Sequence, residues 1–392
     1  MDRLFSPPPP RRRILIIGEG AVPSGYARVI RSIFSRLTGE LEIHQLATRW
    51  DGGAHDWPWP LVQGTTAGDL YGHQRIASLV DELRPDVVFA LYDLSLLGPV
   101  VRAVRCAAHQ PPIAVYAPVE SGPLAPELLA PVAAADRIAT YTPYAKRVME
   151  ECGVALPPID VVPHGVDTRL FHPIEGGRAE ARRRMGIDQD LFVVLNANRN
   201  MPRKCIDVTM HAFARFAAGK PPNVRLWLHM GVEDRGWNVV ILARRLGIED
   251  RLMLTTAELT HPAASDQELN LLYNACDVGV NTASGEAWGL VNFEHAATGA
   301  AQVVPDHTAQ SELWRGSAEL VPPVYTSVNT TILNSAHHLA PGDVAAALER
   351  LYSDPAHRAR MAAAAFANAT RPEYAWDAVA AQWRRILLAL VS

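Results

Sequence analysis

Short apolar runs alternate with longer amphipathic stretches along almost the whole chain. In the first half, residues 14–17, 41–47, 86–91, 113–116 and 137–141 read as buried strands. Residues 25–37, 74–83, 96–108 and 144–151 repeat their apolar positions at helical spacing. A second alternating set has strands at 191–198, 225–228, 251–254, 278–281 and 302–304, with helices at 208–218 and 290–298. Strands and helices that alternate at this spacing build parallel sheets covered on both faces. A turn-rich link, 163–177, separates the two sets. The pattern therefore predicts an α/β protein of two doubly wound, Rossmann-like domains, 14–172 and 173–372, facing a central cleft. Residues 373–392 form an amphipathic last helix, and 1–13 a disordered lead-in of prolines and arginines.

Composition narrows the function classes. A chain of 392 residues is long enough for two to three domains with sizeable cores. A formal net charge of −4 gives no electrostatic case for a nucleic-acid partner. The cysteines at 106, 152, 205 and 276 are scattered and form neither a metal-ligand pattern nor a disulfide framework. No apolar run reaches membrane-span length, and the first residues lack a signal-peptide core. The expected location is the cytoplasm, with at most a peripheral contact of Arg11, Arg12 and Arg13 with the inner face of a membrane.

Two loops carry the candidate chemistry. The strand at 191–198 runs into Arg199, Arg203 and Lys204 just before the helix at 208. Open α/β sheets bind ligands at this end of their strands. A diphosphate brings about two negative charges, which Arg199 can meet with a fork and Lys204 with a point charge. Without other signals, an ordinary basic surface loop explains these residues equally well. The strand at 278–281 leads through Glu286 into a helix that carries Glu294 and stops at Gly299. The N–H groups of Ala287, Trp288, Gly289 and Leu290 would sit at that helix start, an arrangement that attracts anions. Carboxylates among such donors can grip sugar hydroxyls, although a bare Glu pair also suits a solvated helix face.

In combination these segments resemble the retaining glycosyltransferases of the GT-B fold, in the large family numbered four that includes sucrose synthases and bacterial mannosyltransferases. The Arg, four residues, Lys pattern falls on Arg199 and Lys204, and the E-x₇-E element on Glu286 and Glu294. Residues 161–173, with Pro163-His164-Gly165-Val166-Asp167, and 266–277 match as well, and the likeness runs in order from residue 14 to the last helix. The resemblance implies transfer of a hexosyl unit from a UDP- or GDP-linked sugar to an acceptor hydroxyl on a saccharide, a lipid-linked glycan or a small molecule. It makes the first domain the acceptor side and the second the donor side, and it sends the last helix back to the first. Arg199 and Lys204 would stabilise the leaving diphosphate, Glu286 would orient the sugar, and Glu294 would hold the ribose. Trp288 would pack beside the sugar, and Gly25 would approach the ligand from the first loop.

The resemblance implies no metal and no cofactor, the nucleotide sugar being a co-substrate. Asp188-Gln189-Asp190 imitates a D-x-D metal signature, but its place just before a strand reads as a solvated turn. Many members of the family carry a His in the loop that here reads Ala117-Pro118-Val119-Glu120-Ser121-Gly122-Pro123. Glu120 or Ser121 is expected to take over its hydroxyl contact. Gly18 and Gly20 read as turn residues or as a close approach to ligand, His164 as a hinge turn, and Asp93 as a possible acceptor contact. The competing readings are a GT-B sugar-nucleotide epimerase, a catalytically silent or non-glycosidic coupling relative, and a pure binding protein.

Overall fold

The computed structural model describes residues 11–330 and 332–391, so the proline part of the expected lead-in lies outside the described residues. The arginine part was misread. Strand β1 (Arg12–Glu19) already includes Arg12 and Arg13. Arg13 donates its backbone N–H to Asp86 Oδ2 at 2.7 Å and its guanidinium to Glu42 Oε1 at 2.7 Å. Carboxylates on neighbouring segments thus let a cationic run enter the sheet.

The first sheet continues with β2 (Leu41–Thr48), β3 (Leu61–Gln63), β4 (Val87–Leu91), β5 (Ile113–Ala117), β6 (Arg137–Thr140) and β7 (Ile159–Val161). Its order is β3-β2-β1-β4-β5-β6-β7, with every pairing parallel. The second comprises β8 (Phe192–Asn196), β9 (Val224–Leu228), β10 (Leu252–Leu254), β11 (Val278–Val280), β12 (Ala301–Pro305) and β13 (Glu319–Val321), ordered β10-β9-β8-β11-β12-β13 and also parallel. Strands β4, β5, β8 and β12 are buried along their whole length, which is why β4 and β5 read as unbroken apolar runs and β8 and β12 as apolar runs with one buried amide each, Asn196 and Gln302. Strand order reverses between β1 and β4 in one sheet and between β8 and β11 in the other. A crevice opens beyond the carboxyl ends at such switch points. The loops leaving these four strands carry Gly25, Asp93, Arg199 and Glu286, and the loops after β5, β6 and β7 add Glu120, Tyr141 and His164.

The last helix (Trp376–Ala389) lies on the first domain. Its Trp383 ring is 4.7 Å from Phe89 and 4.9 Å from Tyr116, and Arg36 pairs with Asp377 at 2.5 Å. The return crosses the hinge so closely that a Cβ on Gly165 would stand 2.6 Å from the Trp376 ring, which leaves room only for glycine.

Among the elements absent from the sequence pattern, one hairpin bears on the cleft. Strands β14 (Pro323–Val328) and β15 (Ser335–Leu339) form an antiparallel hairpin, and most of β14 is exposed. It has no buried face to produce an alternation. Its tip reaches the first domain, where Ser335 N–H donates to Gly122 O at 2.9 Å and Asn334 Nδ2 to Ser121 O at 3.3 Å.

Candidate functional site

The loop after β8 is held by its own asparagines. Asn198 donates its backbone N–H to Asn196 Oδ1 at 3.0 Å, and Asn196 Nδ2 reaches Thr209 Oγ1 at 2.9 Å. Asn200 is fully buried and bonds both ways with Trp237, Nδ2 to O at 2.7 Å and N–H to Oδ1 at 3.1 Å. Thr282 and Ser284, from the loop after β11, bond the carbonyls of Cys205 at 2.8 Å and Arg203 at 2.8 Å. The two loops are therefore tied into one unit, in which charged side chains can be held in place without a large entropy cost.

Between them sits a charge cluster. Lys204 Nζ donates to Glu286 Oε2, and both residues are buried. Arg203 bridges the domains: Nη2 lies 2.7 Å from Glu120 Oε1, and Nη1 lies 3.6 Å from Glu286 Oε1 and donates to Gly285 O at 2.6 Å. Burial pushes the Glu286 carboxyl up, but the Lys204 and Arg203 charges outweigh it and hold it below the usual range. Glu120 goes the other way. Burial raises it, Arg203 offsets part of the rise, and the nearby charge of Asp93 adds to it. Arg199 stands at the edge in a fork with Asp234, Nε to Oδ2 at 2.6 Å and Nη2 to Oδ1 at 3.2 Å.

Glu294 occupies a different compartment. It is 5% exposed and accepts from the Tyr273 hydroxyl at 3.3 Å, with Arg28 Nε 3.6 Å away. Arg28 also pairs with Asp266 at 2.7 Å. Burial raises the Glu294 carboxyl, and Arg28 reverses only part of that. A cavity of about 560 Å³ is lined by Glu120, Arg199, Arg203, Lys204 and Glu286. A second, of about 810 Å³, is lined by Arg28, Tyr273 and Glu294. Gly25, Leu290 and Val291 line both, so the two glutamates face adjoining chambers on either side of one helix start. That helix (Leu290–Ala296) begins at Gly289, whose φ of 86° is a left-handed conformation that favours glycine.

The remaining expected residues divide. Ala287, Trp288, Gly289 and Leu290 all line the smaller cavity, and so does Asp93, which accepts from the Tyr26 hydroxyl. Trp288 is 2% exposed, stacked on Phe293 at 4.7 Å with Tyr374 edge-on at 5.1 Å. Most of its ring is thus hinge core. A Cβ on Gly25 would meet nothing closer than Leu290 Cδ1 at 3.6 Å, whereas one on Gly18 would stand 2.5 Å from Ile30 Cδ1. A side chain at 18 would have to displace the end of Ile30, whereas packing leaves room for one at 25. Asp188 and Asp190 are exposed in the turn before β8, away from both cavities.

His164 lies in the hinge segment as expected, but it is buried there. It is 4% exposed, its ring is 3.9 Å from that of Tyr141, both ring nitrogens lack a partner, and burial takes its pKa down to about 3. Sequence reasoning passed over Arg28, Asp234 and Tyr273 entirely, and it gave Arg203 no role of its own. Each of these acts through a partner far away in the chain, and no local motif marks them.

No protein-family model matches the chain. The D-inositol 3-phosphate glycosyltransferase of Stackebrandtia nassauensis is 32% identical over 258 residues, 63% of this chain and 52% of that protein. The protein of the same name from Thermomonospora curvata is 31% identical over 262 residues, 63% of this chain and 55% of that one. The chain thus spans about half the length of the curated relatives it matches. Among solved structures, sucrose-phosphate synthase from Thermosynechococcus elongatus superposes with a TM-score of 0.76 at 16% identity, covering 97% of this chain and 99% of that one. Anabaena Alr3699/HepE in complex with UDP and glucose gives 0.74 at 18% identity, over 97% of this chain and 100% of that one. WaaG, a glycosyltransferase involved in lipopolysaccharide biosynthesis, gives 0.71 at 12%, over 96% and 99%. With its two parallel-sheet domains and the cleft between them, the chain has the GT-B fold.

Proposed function

We propose that the protein is a retaining glycosyltransferase that moves a hexosyl unit from a nucleoside-diphosphate sugar to an acceptor hydroxyl without a divalent metal. The observation that carries this reading is the buried cluster of Lys204 and Arg203 against Glu286, next to a chamber that holds Glu294. The names of the curated relatives and the UDP and glucose bound by the HepE neighbour support it.

At present each cation is satisfied by a carboxylate: Arg199 by Asp234, Lys204 by Glu286, and Arg203 by Glu120. A diphosphate competes for these cations and frees Glu286 to accept hydrogen bonds from sugar hydroxyls. Arg199 and Lys204 then stabilise the charge that grows on the leaving phosphate oxygen. Glu294 receives the ribose hydroxyls in the adjoining chamber. The bond from the anomeric carbon to the phosphate oxygen breaks, and a bond to the acceptor oxygen forms on the same face. The acceptor proton passes to the departing phosphate. Glu120, on the first-domain side of the cluster, occupies the loop where a hydroxyl contact to the sugar is needed.

The test is the reaction with metal removed. Protein treated with excess EDTA and given nucleotide sugar and a hexose acceptor panel is expected to keep at least about half its turnover, and NMR should show the donor's anomeric configuration retained. An inverted product, or activity restored only by a divalent ion, would contradict the scheme. Nucleotide release that needs no acceptor would point to an epimerase.

A further inference from the structure

The acceptor wall of the cleft carries the opposite charge from the donor wall. The first domain contributes Glu19, Asp93 and Glu120 to the 560 Å³ cavity, and among its described lining residues Arg49 is the one cation. Arg49 is already used by Glu19, with Nη1 2.9 Å from Oε1. Asp93 accepts only the Tyr26 hydroxyl and has no ion pair among the described residues. Glu120 is neutralised across the cleft by Arg203, the guanidinium next to Lys204 that an incoming diphosphate would claim. Once the donor is bound, the Asp93 and Glu120 carboxylates on this wall have no cation, and a donor-sugar hydroxyl at Glu120 would not supply one.

A second observation points to a ligand there. Tyr141 lines the same wall and is 3% exposed, yet its hydroxyl has no hydrogen-bond partner. The neighbouring His164 also lines the cavity, with neither ring nitrogen bonded. Buried polar atoms left unpaired are costly, and so are like charges held close together. A ligand that brings a cation and hydroxyls relieves both.

We infer that the acceptor is an amine-bearing polyol, an amino sugar or aminocyclitol whose ammonium group is received by Asp93 and Glu120 while a neighbouring hydroxyl meets Tyr141. This rests on the glycosyl-transfer reading and specifies its second substrate. A phosphorylated acceptor meets the wrong charge on this wall, and a neutral polyol leaves the carboxylates uncompensated.

The experiment uses three hexoses that differ in the charge of one substituent: glucosamine, glucose and glucose 6-phosphate. Calorimetric titration first identifies which of UDP, GDP and ADP binds the full-length protein, then measures each hexose with that nucleotide present. Glucosamine is expected to bind at least about tenfold more tightly than glucose, as a charge-assisted hydrogen bond predicts, and glucose 6-phosphate more weakly than glucose. In Asp93→Asn the ratio of glucosamine to glucose affinity should fall towards one. Equal affinities, preference for the phosphate, no glucosamine binding, or an unchanged ratio in Asp93→Asn would each overturn the assignment while leaving nucleotide binding, and so the transferase reading, intact. Failure of all three nucleotides to bind would instead remove that reading and this one with it.

Discussion

Arg199→Ala combined with Lys204→Ala is expected to lower turnover by roughly 10²–10⁴-fold. Both side chains sit where a leaving diphosphate would rest, and each now holds a carboxylate that the phosphate would displace. A hydrogen bond to a charged group contributes ~1.5–3 kcal/mol, so two lost from the transition state raise the barrier by ~3–6 kcal/mol. One power of ten in rate corresponds to about 1.4 kcal/mol, which gives the stated range. The variant also strands Glu286 with Arg203 alone at 3.6 Å, so a thermal melt should accompany the kinetics to show that the fold survives. Turnover within about threefold of the parent would remove these two residues from the mechanism.

The largest effect on stability is expected at a residue outside the cleft. Arg182, on the helix Gly177–Met185, is 4% exposed and pairs with Asp277 at 2.8 Å. Its other donors reach Ala275 O at 3.0 Å and Gln189 O at 2.8 Å. Asp277 Oδ2 in turn accepts the backbone N–H of Val193 at 2.7 Å. One guanidinium therefore ties the entrance of β8 to the entrance of β11, the two strands whose far ends carry the charge cluster. Arg182→Ala should cost ~2–3 kcal/mol in denaturant unfolding, because the buried Asp277 carboxylate is left with only the more exposed Arg178, 3.1 Å away, as a cation. The double variant Arg182→Met with Asp277→Asn should cost less, since it removes the charge and keeps an acceptor for Val193. A loss below about 1 kcal/mol in Arg182→Ala would show that the pair does not hold the domain together.

Legibility in the sequence followed burial. Strands β4 and β5, covered on both faces, are unbroken apolar runs, β8 and β12 are interrupted only by a buried amide, and the alternation of strands and helices was enough to predict two parallel sheets. Strands β3 and β7 are three residues long at a sheet edge, and β14 is mostly exposed, so none of them carries a period. Arg12 and Arg13 were misread because charge suggested a tail, while the partners that admit them to the sheet, Glu42 and Asp86, lie far along the chain. Within the cleft, spacing alone left Arg199, Lys204, Glu286 and Glu294 open to bland readings, and it was the resemblance that singled them out; all four line the two cavities. Spacing was silent on who meets whom. Arg203 reaching Glu120, Arg28 beside Glu294 and Asp234 behind Arg199 are products of domain packing. Trp288, which the resemblance put beside the sugar, lines the smaller cavity with a ring largely packed between Phe293 and Tyr374, a hinge role that no local pattern marks.

The central claim is that the two glutamate chambers form one nucleotide-sugar site that works without metal. The most direct measurement is thermal unfolding in EDTA with UDP, GDP or ADP and their hexose conjugates. A single nucleotide series should stabilise the protein, by about 2.7 kcal/mol at a hundredfold excess over its dissociation constant, and Glu294→Ala should lose most of that gain. No shift with any of them in protein that is folded and monodisperse would contradict the account.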